Sequence, residues 1–379
     1  MEIQKRPSAS TAGFTGGKRA FGVMRTAAVS AVCLSLVLCS CNRCSLPRSG
    51  DYLPESITIL SYNVQNLFDD VYDGTEYDEY VPETGGWSSD LFHFKLQQIS
   101  EVLSLFPRGG ADIMLLQEVE NGNALEMLRL HYLKSGGYDY CVISDASGQA
   151  VQTAILSRFP IKEVQAHAVS LHGITAGRPV LECRLDVCGL ELILFNCHWK
   201  SKSGGVQSTE TMRIAAASLL NELIRERTAD EPDVPIIVAG DLNESIDEWD
   251  LHSGSYPTAL MPVSQVGREF GPAEGPPLFV TGDFSEVNTD GEAVILFSPW
   301  LTDLRYEGSY VYQGVWERID HFLLSVHFDD GKKIEYNTFR IGNIESFLDE
   351  EGFPLRWIPE RETGYSDHLP ILLYCDVEN

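Results

Sequence analysis

Residues 235–243 read Pro235-Ile-Ile-Val-Ala-Gly-Asp241-Leu-Asn243, an apolar run that ends abruptly in a carboxylate and an amide. An apolar segment this short, bounded by turn formers, suits a buried strand. Side chains alternate faces along a strand, so Asp241 and Asn243 point to one side. The same ending recurs along the chain. Ile57-Thr-Ile-Leu-Ser-Tyr-Asn63 closes on an amide, and Asp112-Ile-Met-Leu-Leu-Gln117-Glu118 closes on a carboxylate. Leu190-Glu-Leu-Ile-Leu-Phe-Asn196-Cys-His198 closes on an amide and an imidazole that share a face. Polar groups at the ends of central strands occupy the rim where α/β proteins build their sites.

Further strands are predicted over 138–144, 153–157, 179–187, 318–325 and 370–376, with a tight antiparallel hairpin at Gly189. Three- and four-residue apolar spacing predicts helices over 91–106, 123–133 and 210–227. Mixed strand pairing with helices implies a layered α/β sandwich, a single domain over 56–379. Two stretches read as insertions. Residues 253–299 are rich in Gly and Pro. Residues 69–90 are acidic and aromatic, and lack the regular ligand spacing of a helix-loop-helix calcium site. A solvated acidic loop is the expectation there.

Two more pieces complete the set: Arg318-Ile-Asp320-His321 and Ser366-Asp367-His368-Leu-Pro370. Asp367-His368 precedes its strand, so it reaches the common rim only if that strand runs opposite to the others. Taken singly, each piece has a structural reading: Asp241 in a turn, His198 as a core histidine, Asp367-His368 in a loop. Taken in order they make a site. Together SYNVQNLFD, LLQEVEN, ILSRFPI, NCHWKSK, VAGDLNES, RIDHFLLS and YSDHLPI resemble the motifs of the endonuclease/exonuclease/phosphatase superfamily, from Ile57 to Leu373. The stretch Asn196–Lys202, with GSYVYQGVWERIDHF, is most similar to bacterial exported nuclease members.

That resemblance implies a four-layer α/β/β/α sandwich of two mixed β-sheets flanked by helices, with a metal-dependent phosphoesterase site. By resemblance, Asn63 and Glu118 hold a divalent metal with Asp367 close by. Oxygen donors suit Mg²⁺, with Mn²⁺ or Ca²⁺ as alternatives. His368 is implied as general base or phosphate ligand, oriented by Asp320. Asp241 aligns or deprotonates the attacking water, and Asn243 donates to the pentavalent phosphate. His198 contacts the phosphate or protonates the leaving oxygen. Asn196, Arg178 and Lys200 are expected to bind substrate. The family's active-site tyrosine has only Tyr138 and Tyr140 as candidates.

Composition narrows the function. The chain carries 28 Lys and Arg against 55 Asp and Glu, a net charge of −27 that becomes −31 without the first 40 residues. Such a surface disfavours a broad basic grip on nucleic acid, so a DNA or RNA substrate should bind over a short, metal-dependent footprint. Hydrophobic residues at 44% are ample for a core and exclude disorder. The uncharged run 26–40 after Arg25 reads as a signal-peptide core, with translation starting at Met24. Leu38-Cys-Ser-Cys41 reads as a lipobox, which makes Cys41 the lipidated residue of a membrane-anchored lipoprotein. A plain secretory signal is the alternative. Residues 1–41 are thus an export segment and 42–55 a tether, and the protein is expected to be a monomer outside the cytoplasm, periplasmic or at the cell surface. The body cysteines form no CxxC pair, which disfavours structural zinc. The leading expectation is an exported nuclease. A phosphomonoesterase, a sphingomyelinase-type phospholipase C and a non-catalytic binding lipoprotein are the alternatives. The first needs a more basic cleft, the second an apolar membrane hairpin, and the third predicts an eroded catalytic set.

Overall fold

Two mixed β-sheets pack face to face in the computed structural model, which describes residues 54–379 except 83, 107–108, 147, 176, 270–274 and 379. The expected export segment 1–41, with Cys41, and most of the expected tether 42–55 lie outside the described residues. The first sheet runs Ile334–Ile341, Ile371–Val377, Ser56–Leu67, Ile113–Val119, Gln152–Ser157, Tyr140–Ile143. The second runs Leu260–Pro262, Leu278–Thr281, Ile295–Phe297, Asp320–Leu324, Ile236–Asp241, Leu190–His198, Val180–Val187, Ile161–His167.

The centre of each sheet explains the near-continuous apolar runs. Ile59, Leu115, Leu194, Val238 and Leu373 are fully buried, as strands covered on both faces require. Each such side chain contributes about 1.5–3 kcal/mol of burial. Helix Ser89–Ser104 covers the first sheet and buries Phe92, Leu96, Ile99 and Leu103, its start capped by Ser88 Oγ accepting from Leu91 N. Helix Val206–Asp230 covers the second. The result is the four-layer α/β/β/α arrangement.

Strand direction then gathers the polar ends. Ser56–Leu67 runs parallel to Ile113–Val119, and Leu190–His198 parallel to Ile236–Asp241. Ile371–Val377 is antiparallel to Ser56–Leu67, and Asp320–Leu324 to Ile236–Asp241. The beginnings of these two strands therefore meet the ends of the other four.

Three expectations are corrected. Residues 253–299 are not an insertion, because three short strands within them extend the second sheet. The helix predicted over 123–133 is regular only over Gly122–Met127 and then widens into a π turn at Leu128–Tyr132. The acidic stretch 69–90 is only partly solvated. Tyr80 and Trp87 are buried, Tyr80 stacks on Phe68 at 4.6 Å, and Trp87 Nε1 donates to the Asp69 carbonyl at 2.7 Å.

Candidate active site

Gly240 fixes the approach of the two central strands of the second sheet. Its φ is +127°, and a Cβ there would lie 2.0 Å from the Cys197 carbonyl oxygen. With glycine in place, the register sets Asp241 beside His198 on one side and Asp320 on the other. Across the gap between the sheets, Asn63 Nδ2 donates to Asp241 Oδ2 at 3.0 Å and to Glu118 Oε1 at 3.3 Å. Backbone in the left-handed region concentrates here, at Gln65, Asn66, Glu118 and Asn243, as is common where local strain serves a site.

His368 sits at the centre of the rim. Its Nδ1 meets Asp320 Oδ2 at 2.8 Å, and its Nε2 lies 3.9 Å from Asp241 Oδ2 and 4.0 Å from Asp367 Oδ1. Ser309 Oγ donates to the same Asp320 oxygen at 2.6 Å. His198 Nε2 lies 3.5 Å from Asp241 Oδ2 and 3.7 Å from Glu118 Oε1. The two imidazoles are driven apart in charge. Burial alone would lower His368, but Asp320, Asp241 and Asp367 carry it up to about 10. Burial, with Arg178 and His368 nearby, pushes His198 well below the ordinary histidine range. Burial raises Asp241 to about 7 against the pull of His368. Groups pushed in opposite directions within one cleft are the signature of acid–base division of labour.

The donor set fits a hard divalent cation. Glu118 and Asp367 offer carboxylate oxygens and Asn63 an amide oxygen, which here accepts from Gln65 N at 3.0 Å. Burial and the charge of Asp367 raise Glu118, a conflict that a cation would relieve. Asp241, Asp320 and His368 also place ligand atoms within 4.8 Å of one another. There, however, the His368–Asp320 hydrogen bond already occupies the imidazole Nδ1.

Of the residues singled out in the sequence, Asn63, Glu118, His198, Asp241, Asn243, Asp320, Asp367 and His368 come together at this rim. Asn243 N donates to Asp241 Oδ1 at 2.9 Å, and one amide hydrogen goes to the Trp199 carbonyl at 3.3 Å. Arg178 reaches the Trp199 carbonyl at 3.4 Å, and its charge acts on both Glu118 and His198. Asn196 does not join them. It is fully buried between the sheets, donating to the Leu116 and Ala154 carbonyls and accepting from Gln117 Nε2 at 2.8 Å, so it pins the layers together rather than touching substrate. Lys200 is tied in through its carbonyl, which accepts from Arg213 at 3.3 Å. Lys202 is held between Glu248 and Glu317.

Tyr138 and Tyr140 stand at the wrong end of the first sheet. Tyr138 Oη donates to the Ala111 carbonyl, and Tyr140 pairs with Ser157, which in turn pairs with Ile113, the residue that opens the strand ending near Glu118. The tyrosine at the site is Tyr310, on the hairpin Tyr310–Tyr312/Val315–Glu317, with its ring 4.7 Å from that of His368. Gln65 also escaped notice. Its Oε1 accepts from Asp367 N at 2.9 Å and Trp357 N at 2.8 Å, which clasps the Asp367-His368 loop. Only the repeated aromatic-glycine pattern of 308–317 and the polar residue inside VQNL hinted at either.

A constellation of this kind defines a phosphoester-cleaving class, and the sequence comparison agrees. The sequence model of the Endonuclease/Exonuclease/phosphatase family matches residues 58–255, more than half of the chain. The chain belongs to the endonuclease/exonuclease/phosphatase family, whose members are generally metal-dependent hydrolases of phosphoester bonds. Among solved structures, D. rerio TDP2 with a single-strand DNA product is 14% identical, with 86% of this chain and 100% of that chain covered and a TM-score of 0.50, and shows the shared fold. An endonuclease/exonuclease/phosphatase family protein from Bacteroides thetaiotaomicron is 17% identical over 86% of this chain and 100% of that chain, with a TM-score of 0.48. The human nocturnin catalytic domain with a bound sulfate anion is 15% identical over 86% and 96%, also with a TM-score of 0.48. No curated protein matches the chain.

Proposed function

We propose that the protein is a divalent-metal-dependent phosphodiesterase, an exported nuclease anchored to the membrane through Cys41. The observation that carries the catalytic reading is the convergence of six strand ends on one rim, with His368 held by Asp320 and facing Asp241. Asn63, Glu118 and Asp367 would hold the cation, Mg²⁺ before Mn²⁺ or Ca²⁺. When bound it neutralises a phosphate oxygen and the charge that develops on the leaving group.

The chain's own groups divide the remaining work. His368, charged and fixed through Nδ1, presents Nε2–H to a phosphate oxygen. Asp241 takes the proton of the attacking water, a role suited to a carboxylate poised near neutrality. Neutral His198 donates a hydrogen bond and carries no charge of its own. Arg178 adds a second fixed positive charge, beside that of His368, to this acidic cleft. Asn243 offers its second amide hydrogen to the phosphate.

A nucleic-acid substrate is supported by the single-strand DNA product in the D. rerio TDP2 structure and by Tyr312, 55% exposed on the hairpin whose Tyr310 covers His368. Export is supported by the apolar run and lipobox of residues 26–41. Among the described residues no helix is long and apolar enough to cross a membrane.

The deciding experiment compares plasmid DNA, RNA, bis-p-nitrophenyl phosphate, p-nitrophenyl phosphate and sphingomyelin, with Mg²⁺ or with a chelator. Asp241→Ala and His368→Ala serve as controls. Metal-dependent cleavage of the diesters and nucleic acids, lost in both variants, is the expected result. Inertness of the wild type on every substrate would overturn the enzyme reading. Preference for p-nitrophenyl phosphate or sphingomyelin would replace the nuclease with the monoesterase or the phospholipase.

A further inference from the structure

The acidic stretch between the first strand and the first helix packs against a buried carboxylate that hydrolysis does not use. Glu120, directly after the strand Ile113–Val119, is only 4% exposed. Its Oε2 accepts from Asp69 N at 2.7 Å, while its Oε1 has no hydrogen-bond partner. A buried carboxylate oxygen without a partner is costly and calls for an explanation. Its surroundings make the cost higher. The carboxylates of Asp73 and Glu76 each place an oxygen within 4.8 Å of one from Glu120.

We propose that Asp73, Glu76 and Glu120 form a Ca²⁺-binding site separate from the catalytic cleft. Two oxygens on one Ca²⁺ stand at most about 5 Å apart, given Ca–O distances of about 2.3–2.6 Å, so all three carboxylates can reach a common ion. The smaller Mg²⁺ sphere, at about 2.0–2.1 Å, tolerates less spread. The loop is shaped around these groups before any ion arrives. Glu76 accepts from Asp73 N at 2.6 Å and Gly74 N at 2.8 Å, and Thr75 Oγ1 donates to Asp73 Oδ1 at 3.1 Å.

No Lys, Arg or His among the described residues pairs with any of the three carboxylates. Neighbouring Asp69 is already satisfied, with Oδ1 accepting from Val71 N and Oδ2 from Asn121 and Asn123.

The aromatic half of the same stretch, packed through Tyr80 and Trp87, anchors the loop to the core. The ion would therefore clamp the outer half of a segment whose inner half is already fixed.

Calorimetric titration with CaCl₂ of chelator-stripped protein tests this, using Glu118→Gln/Asp367→Asn to disable the cleft. One Ca²⁺ per chain should still bind. Adding Asp73→Asn and Glu76→Gln, both at exposed or half-exposed positions that keep hydrogen-bond acceptors, should weaken that binding at least tenfold with an unchanged circular dichroism spectrum. In the Glu118→Gln/Asp367→Asn background, saturating Ca²⁺ should raise Tm by about 5 °C or more, and Asp73→Asn/Glu76→Gln should abolish the shift. Undiminished Ca²⁺ affinity after the loop substitutions would overturn the proposal, as would loss of all Ca²⁺ binding in Glu118→Gln/Asp367→Asn alone. Equal affinity for Mg²⁺ at the loop would overturn its assignment to Ca²⁺.

Discussion

Arg213 offers the strictest test of how the scaffold holds the cleft. It is completely buried on the helix Val206–Asp230, with Nε 2.7 Å from Glu244 Oε2 and Nη2 2.5 Å from Glu210 Oε2. It also donates to Thr209 Oγ1 and to the Val206 and Lys200 carbonyls. Glu244 follows Asn243 directly, and Lys200 follows His198 by two residues, so one guanidinium ties down both loops that leave the second sheet. Arg213→Met strands two buried carboxylates. Removing one partner of a buried ion network costs about 3–5 kcal/mol, which for a domain of this size lowers Tm by about 4–8 °C. The sign with pH follows from the carboxylates. Burial raises both Glu210 and Glu244, a tendency Arg213 now opposes. Without it, the folded variant binds protons more tightly than the unfolded chain. Its stability should fall as pH rises through the ordinary Glu range, and its deficit against wild type should shrink toward pH 5. Thermal unfolding by circular dichroism at pH 5 and pH 8 measures both effects. Adding Glu210→Gln and Glu244→Gln, which keep an acceptor for the Ala259 amide, should restore at least half the loss. A single variant within about 1 kcal/mol of wild type at pH 8, where an uncompensated pair should hurt most, would refute the reasoning.

Asp320→Asn should reduce kcat by about 10²–10⁴-fold with a smaller effect on KM, because His368 loses the partner that orients and charges it; steady-state kinetics on bis-p-nitrophenyl phosphate decide it. Gln65→Leu releases the Asp367 loop and should raise the Mg²⁺ concentration for half-maximal activity by about 10–100-fold, read from metal-activation curves. Lys95 is fully buried, donating to the Tyr365 carbonyl at 2.6 Å, and burial lowers it to about 7. The unfolded chain keeps that proton up to about 10.5, so wild-type stability should rise with pH between about 7 and 10 relative to Lys95→Met, a trend that Tm across that range would show or exclude. Tyr312→Ala should lower kcat/KM on single-stranded nucleic acid by about 5–100-fold and leave bis-p-nitrophenyl phosphate hydrolysis unchanged in parallel assays, as loss of a stacking platform predicts.

Much of the site was legible because a polar residue ending an apolar run has few structural uses, and strand alternation then gives its face. Asp241, His198, Glu118 and Asn63 all announce themselves this way. Asn196 carried the same signal yet lies two residues, about 7 Å, farther from the rim than His198, and depth along a strand is a tertiary quantity. Tyr310 and Gln65 reach the site through a hairpin and a backbone clasp whose partners are distant in sequence. The edge strands Ile161–His167 and Ile334–Ile341 hid because they leave polar residues on both faces. The three-residue strands of 260–297 are specified by the sheet that receives them rather than by their own composition.

The proposed catalytic groups divide between the layers: Asn63, Glu118, Asp367 and His368 ride on the first sheet, and His198, Asp241 and Asp320 on the second. Bonds that cross the seam, Asn63 to Asp241, His368 to Asp320 and Asn196 to Gln117, hold the two sets in alignment. The cleft thus acts as a vernier for the sandwich. A slip of about 1 Å between layers would leave every helix and strand intact yet cost about 10²-fold in rate, so under rising denaturant activity should vanish well before the circular dichroism signal moves.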